Sequence, residues 1–163
     1  MSKFPKAIIG IKCSKMLPGE VGVFALRNLK KGTIYGRADY GGEKMFSKKV
    51  YKSLDKITQK RVHDFCGMYD DGFISIPDVN YMPIHYHCNH SCEPNAGFKN
   101  DNMVLIKDVN AGEEILLDCA FSTTDPDFVL HCKCGSKKCR KIITGNDWKN
   151  PEYFKKNKKY MSI

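Results

Sequence analysis

Apolar and small residues alternate over residues 21–29, which predicts a strand that Lys31-Gly32 ends with a turn. Gly41-Gly42 marks a second break. Ser47 is a helix N-cap, and Val50, Leu54, Ile57 and Phe65 then fall on one face, so the spacing predicts a single helix to about Phe65. Residues 73–76 read as a short strand. Residues 80–97 hold Pro83, Pro94, Gly97, three histidines and two cysteines, and read as mostly irregular. Two short strands follow, over 103–109 and 114–119, joined at Asn110-Ala111-Gly112. Residues 122–127 form a polar loop, beyond which the chain becomes rich in Cys and Lys. Many short strands with one or two helices predict a mainly β chain with minor α (α+β). Helix and strand do not alternate, so a doubly wound nucleotide fold fits poorly. Gly19-Glu20-Val21-Gly22 is a broken Gly-x-Gly with no helix after it, and is no dinucleotide fingerprint.

The length of 163 residues suits one domain, and 42% apolar with 28% charged residues is ordinary globular composition. Apolar runs extend only a few residues, against the roughly 20 a membrane span needs, so no membrane role is expected. The N-terminus has lysines but no apolar core of a secretory signal, which predicts an intracellular protein, cytoplasmic or nuclear. The net charge of +9 is uneven: residues 128–163 carry ten Lys/Arg against two acids. The basic run at 155–159 reads as a solvated tail, with a nucleic-acid contact, an anionic partner or a localisation signal as competing uses.

Eight cysteines in such a chain read as thiols or metal ligands. Isolated Cys13 and Cys66 read as small buried apolar groups. Cys132-x-Cys134-x4-Cys139 supplies three close thiolates, suited to a structural Zn²⁺ or a redox pair. A tetrahedral Zn²⁺ needs a fourth ligand, for which Cys92, Cys88 and His131 are candidates.

Three ordered segments carry a resemblance. Asn89-His90-Ser91-Cys92-Glu93-Pro94-Asn95 resembles the first signature of SET-domain protein lysine methyltransferases. Gly112-Glu113-Glu114-Ile115-x-x-Asp118 resembles the second, and Cys132-x-Cys134-x4-Cys139 resembles the post-SET zinc motif. Gly22-Val23-Phe24-Ala25 is similar to the opening strand, and Ile143-Thr144-Gly145-x-Asp147-Trp148 to the tail of compact stand-alone members. Taken alone, His90 is as well a core histidine and Pro94-Asn95 a turn; the ordered set is what is specific.

The resemblance implies small curled β-sheets and a C-terminal pseudoknot, threaded through a preceding loop. It divides the chain into a SET domain over 6–127 with an inserted helical segment around 47–66, a post-SET zinc segment over 128–145 and a basic tail over 146–163. It implies S-adenosylmethionine as cofactor, structural Zn²⁺, and a lysine-containing protein such as a histone tail as substrate. Val21, Gly22 and Val23 would then contact the cofactor through the main chain. Asn89 and His90 would hold it, Tyr86 and His87 would flank it, and Lys133 would lie over the adenine. Cys92 becomes the fourth zinc ligand, with Cys132, Cys134 and Cys139.

The second signature usually ends in Tyr, where this chain has Cys119, and Leu117 replaces the aromatic residue that limits the number of methyl groups. Tyr40 is the candidate replacement for the missing phenol. Arg140-Lys141 stands where the family has Arg-Gly. Two readings follow: an active methyltransferase, or an impaired SET protein that binds cofactor or peptide without efficient turnover. Glu113, Glu114, Asp118, Asp125 and Asp127 read equally as an acidic stretch that suits a basic peptide or as a solvated acidic loop. His63 and His85 match no motif, and Trp148 reads as a core anchor for the tail.

Overall fold

Strand β2 (Val21–Ala25) organises the core: four of its five residues are buried and it has a paired strand on each side. β1 (Ile9–Cys13) runs antiparallel on one side, with Ile11 opposite Val23. β10 (Glu114–Leu117) runs antiparallel on the other, with Ile115 opposite Val23. Val23, Ala25 and Ile115 are fully buried, and pack with Leu29, Tyr35, Leu105 and Val109. Each large side chain buried this way contributes about 1.5–3 kcal/mol. The structure is a computed structural model, and it describes residues 5–37 and 42–163. Among these, no helix is long and apolar enough to cross a membrane.

The elements form four small sheets, as a mainly β chain predicts. β7 (Asn89–His90) closes the first sheet by pairing in parallel with β10. A second sheet contains β3 (Ile34–Gly36), β8 (Ala96–Lys99) and β9 (Asn102–Leu105), in the order β3-β9-β8. Asn100 and Asp101 both take positive φ (49° and 61°) between β8 and β9, the two-residue turn whose twist matches a hairpin. The third sheet contains β4 (Lys44–Ser47), β5 (Gly67–Tyr69) and β6 (Gly72–Ser75). β11 (Val129–His131) and β12 (Ile142–Thr144) form the fourth. The strand predicted over 21–29 stops at Ala25, and Leu29 makes a single bridge to Val109.

The single helix predicted after Ser47 is two helices, α1 (Lys48–Ser53) and α2 (Lys56–Phe65). Ser47 caps α1 by accepting from Val50 N–H. Leu54 then leaves the helical region, and Asp55 starts α2 by accepting from the N–H groups of Ile57 and Thr58. A second cap inside the apolar periodicity overrides it. The predicted apolar face is only half kept: Val50 is exposed and Ile57 is 83% exposed, whereas Leu54 packs on the core and Phe65 is half-buried. Val62 is the buried residue of α2, packed with Cys66, Met68, Phe73 and Phe128. Cys66 is buried as expected, but Cys13 is exposed at the end of edge strand β1.

The basic C-terminus is not a loose tail. Asn150 caps α3 (Pro151–Asn157), and residues 158–160 continue as a 3₁₀ turn. Lys155, Lys156, Lys158 and Lys159 face solvent. The anchor is a buried ionic cluster. Arg140 meets Asp118 at 2.6 Å and Asp147 at 3.1 Å, and its guanidinium lies 4.8 Å from the Tyr153 ring centre. The Tyr153 hydroxyl donates to Asp118 at 2.9 Å. Trp148, expected as the anchor, is half-buried, with the Lys149 ammonium over its ring.

Two positions in this segment carry opposite backbone demands. Lys141 has φ +66°, a left-handed conformation costly for a side chain, where the resemblance has Gly. A Cβ on Gly145 would lie 1.8 Å from the carbonyl oxygen of Asp125. Gly145→Ala should therefore lose about 3 kcal/mol through forced backbone movement. Lys141→Gly should gain about 0.5–1 kcal/mol, net of the added freedom of the unfolded chain. Urea denaturation measures both, and unchanged midpoints would contradict the geometry.

Candidate active site and metal centre

The 89–95 segment is built around β10. Ser91 N–H donates to Leu117 O at 2.8 Å and Asn95 N–H to Leu116 O at 3.1 Å. The Asn95 side chain donates to Glu114 O and accepts from Leu116 N–H, both at 2.8 Å. β10 is thus inserted between β2 and this segment and bonded to both. The Asn89 amide donates to Val21 O at 2.9 Å and to Glu114 at 2.7 Å. Those bonds use both of its N–H groups, so the side chain offers a ligand its carbonyl oxygen. A Cβ on Gly22 would lie 2.2 Å from the Glu114 carboxylate, so a side chain there would have to displace Glu114 from Asn89. Val21 is exposed and Val23 is in the core, which leaves main-chain groups as their contribution to a site.

The His90 ring lies between the end of β10 and the cysteine cluster. Its Nδ1 accepts from the backbone N–H of Cys119 at 3.1 Å, which places the ring proton on Nε2. Nε2 lies 3.4 Å from Cys92 Sγ. Burial lowers the pKa of the ring and keeps it neutral, against the pull of Asp118. The ring therefore joins the end of β10 to the cysteine cluster.

Cys92, Cys132, Cys134 and Cys139 converge, with all four sulfurs within 4.8 Å of one another. Cys92 lies 3.8 Å from Cys132, and Cys139 lies 3.6 Å from Cys132. Zn–S bonds of about 2.3 Å in a tetrahedron put sulfurs about 3.8 Å apart, close to the two separations above, so the donor set suits such an ion. Arg140 N–H donates to Cys92 Sγ at 3.3 Å and Cys134 N–H to Cys132 Sγ at 3.4 Å, the partners a thiolate needs. Cys88 instead sits beside the Tyr35 hydroxyl, away from the cluster.

A cavity of about 690 Å³ opens beside this assembly, and Tyr86, Asn89, Leu117 and Cys119 line it together. Burial pushes the Cys119 thiol up to about 12, so it stays protonated at neutral pH. The Tyr86 hydroxyl donates to Glu43 at 2.9 Å, and burial and that carboxylate push its pKa well up. His87 stacks edge-on against Phe65, another lining residue. Its Nδ1 is buried and makes no hydrogen bond among the described residues. Lys133 is exposed between two cluster cysteines. Tyr40 lies outside the described residues.

The sequence reading missed Tyr69, Glu43 and Ser162, which also line the cavity. None belongs to a signature; the local signal was Tyr69 abutting the Asp70-Asp71-Gly72 turn. The acidic stretch does not form one docking face. Asp118 is tied to Arg140, Asp125 is buried against Lys48 at 3.0 Å, and Glu114 accepts from Ser14 and Asn89. His85 is buried behind Gly36, and His63 stacks on Phe128.

Comparison with known proteins agrees with this geometry. The chain is 28% identical over 128 residues, 72% of its length, to the histone-lysine N-methyltransferase ash1 of Drosophila melanogaster. It is 25% identical over 130 residues, 75% of its length, to histone-lysine N-methyltransferase trithorax of Drosophila virilis. It is 35% identical over 63 residues, 34% of its length, to human histone-lysine N-methyltransferase 2B. The matches span 6%, 3% and 2% of those much longer proteins, respectively. The SET domain family description matches residues 20–120, a span that holds both signatures and most of the cavity wall. The chain belongs to the SET-domain family.

Proposed function

We propose that this chain is an S-adenosylmethionine-dependent protein lysine N-methyltransferase acting on a histone tail or another basic protein, in the nucleus or cytoplasm. The observation that carries this reading is the shared cavity. Asn89 of the first signature and Leu117 and Cys119 of the second line one space of about 690 Å³. That volume suits a small-molecule ligand. The carbonyl oxygen of Asn89, a lining residue, is a polar group available to a cofactor. The main chain of Val21, Gly22 and Val23 is adjacent to Asn89, and Lys133 borders the cysteine cluster. S-adenosylmethionine, when bound, supplies a sulfonium methyl group.

The chain's own contribution is desolvation and orientation. A free lysine has a pKa near ~10.4 and must lose a proton before its nitrogen can attack. A mostly apolar cavity favours that neutral form. Fixed walls then hold the amine in line, which is the larger share of catalysis. Leu117 leaves the wall aliphatic where relatives are aromatic, and Cys119 stands at the transfer point.

The test is label transfer from radiolabelled S-adenosylmethionine to histones and basic peptides. The native chain should transfer label, and Asn89→Ala should lower cofactor affinity at least about tenfold by losing a buried hydrogen bond. Cys119→Tyr should raise the rate, by up to ~10² if a positioned donor is restored. Transfer by Cys119→Tyr alone would favour the impaired reading, which the protonated thiol at that position motivates. No transfer by either, with no cofactor binding by calorimetry, would overturn the proposal.

We also propose that Cys92, Cys132, Cys134 and Cys139 hold a structural Zn²⁺ that joins the 89–95 segment to the C-terminal segment. Its binding energy is then folding energy for residues 128–163. The purified chain should carry one zinc. Chelation should lower the melting temperature by about 10 °C and shift the emission of the single Trp, Trp148, to the red. A melting curve and spectrum indifferent to chelator would refute this.

A further inference from the structure

A lysine amine that enters this cavity exchanges water for protein, and its N–H groups then need a fixed acceptor. The Cys119 thiol is a poor one, since sulfur accepts weakly. Another lining residue is better placed. Tyr69 ends β5, and its ring folds back along that strand. A Cβ on Gly67 would lie 3.1 Å from the Tyr69 hydroxyl and 2.9 Å from Ser122 O, so the phenol approaches the turn that carries Cys119. The hydroxyl donates to Ser162 O at 2.9 Å. Ser162 N–H in turn donates to Phe121 O, in that same turn, at 2.7 Å. The carbonyl that holds the Tyr69 proton is therefore itself held to the Cys119 turn. Tyr69, Cys119, Ser122 and Ser162 all line the cavity. With its proton committed to Ser162, the phenol oxygen retains lone pairs for an incoming N–H.

We infer that Tyr69 is the positioning residue for the substrate amine, its oxygen oriented by the Ser162 carbonyl to accept a hydrogen bond from the lysine nitrogen beside Cys119. The inference rests on the methyltransferase reading for the identity of the amine. The lysine ammonium first gives a proton to water. The nitrogen lone pair then forms the N–C bond while the C–S bond of the sulfonium breaks, its electrons passing to sulfur. The methylated ammonium that results loses its extra proton to water, and Tyr69 keeps its own proton throughout. Ser162, beyond the docked C-terminal helix, is thereby part of the site's wall.

The probe is n-butylamine, a lysine side chain without a backbone, titrated into the zinc-loaded full chain. Leu117 methyl resonances report binding, because Leu117 lines the cavity in every variant. The native chain should show a saturable shift. Tyr69→Phe should weaken binding at least tenfold and leave 1-chlorobutane, which has no N–H or O–H to donate, unaffected. Adding Cys119→Tyr to Tyr69→Phe should restore amine affinity to within threefold of native. Loosening of the C-terminus alone would not be repaired by a hydroxyl on another element. Equal amine affinity in the native chain and Tyr69→Phe, or no saturable shift in the native chain, would overturn the inference. Label transfer to histones reports separately on the reaction. Tyr69-dependent amine binding without transfer would reject the methyltransferase reading and keep the amine site.

Discussion

The insertion of β10 between β2 and the 89–95 segment is the constraint on which the rest depends. Four residues, Glu114–Leu117, satisfy their main chain on both sides and bury Ile115 in the core. The Asn95 side chain clamps the strand by donating to one residue and accepting from another, as a backbone neighbour would. With the strand held, the next residues have defined directions. Asp118 goes into the interior and Cys119 to the cavity wall. Slippage of β10 by one residue would exchange those directions, because strand side chains alternate.

A second layer of interactions makes the C-terminus part of the same unit. Asp118 is almost fully buried and is matched by Arg140 and the Tyr153 hydroxyl. A buried carboxylate left without these partners would be strongly destabilising. On the other side of the 89–95 segment, Cys92 meets the three downstream cysteines, and His90 connects that cluster to the backbone of Cys119. Cys119 and the cysteine cluster are therefore one hydrogen-bonded residue apart. A change in the cluster would reach the cavity wall through His90.

The departure of this chain from its family at Cys119 is then a local change in an intact frame. A protonated thiol can fill space at the cavity wall but accepts hydrogen bonds weakly. The surrounding wall contains phenols on other elements, Tyr69 on β5 and Tyr86 in the turn before β7. Tyr86 has its hydroxyl committed to Glu43, whereas Tyr69 is tied to a main-chain carbonyl of the C-terminus. The chemistry of the site can thus be shared among segments distant in sequence.

The sequence by itself determined the class of fold, the two signatures and the cysteine spacing, because these depend on local pattern and on residue types with few alternative uses. It also marked Ser47 as a cap. It misled where an interior polar residue had two roles: Asp55 reads as a solvent-facing position of one helix, yet it starts a second. It read the lysines of the tail as solvated, as they are, but gave no sign of the contacts of Tyr153, Arg140 and Tyr160 that dock the segment. The acidic stretch misled for the same reason: composition records charge but not the partner that neutralises it. Only the tertiary structure decided that Tyr69, Ser162 and Cys119 share one cavity. Those contacts join residues far apart in the chain, and no periodicity within a strand or helix encodes them.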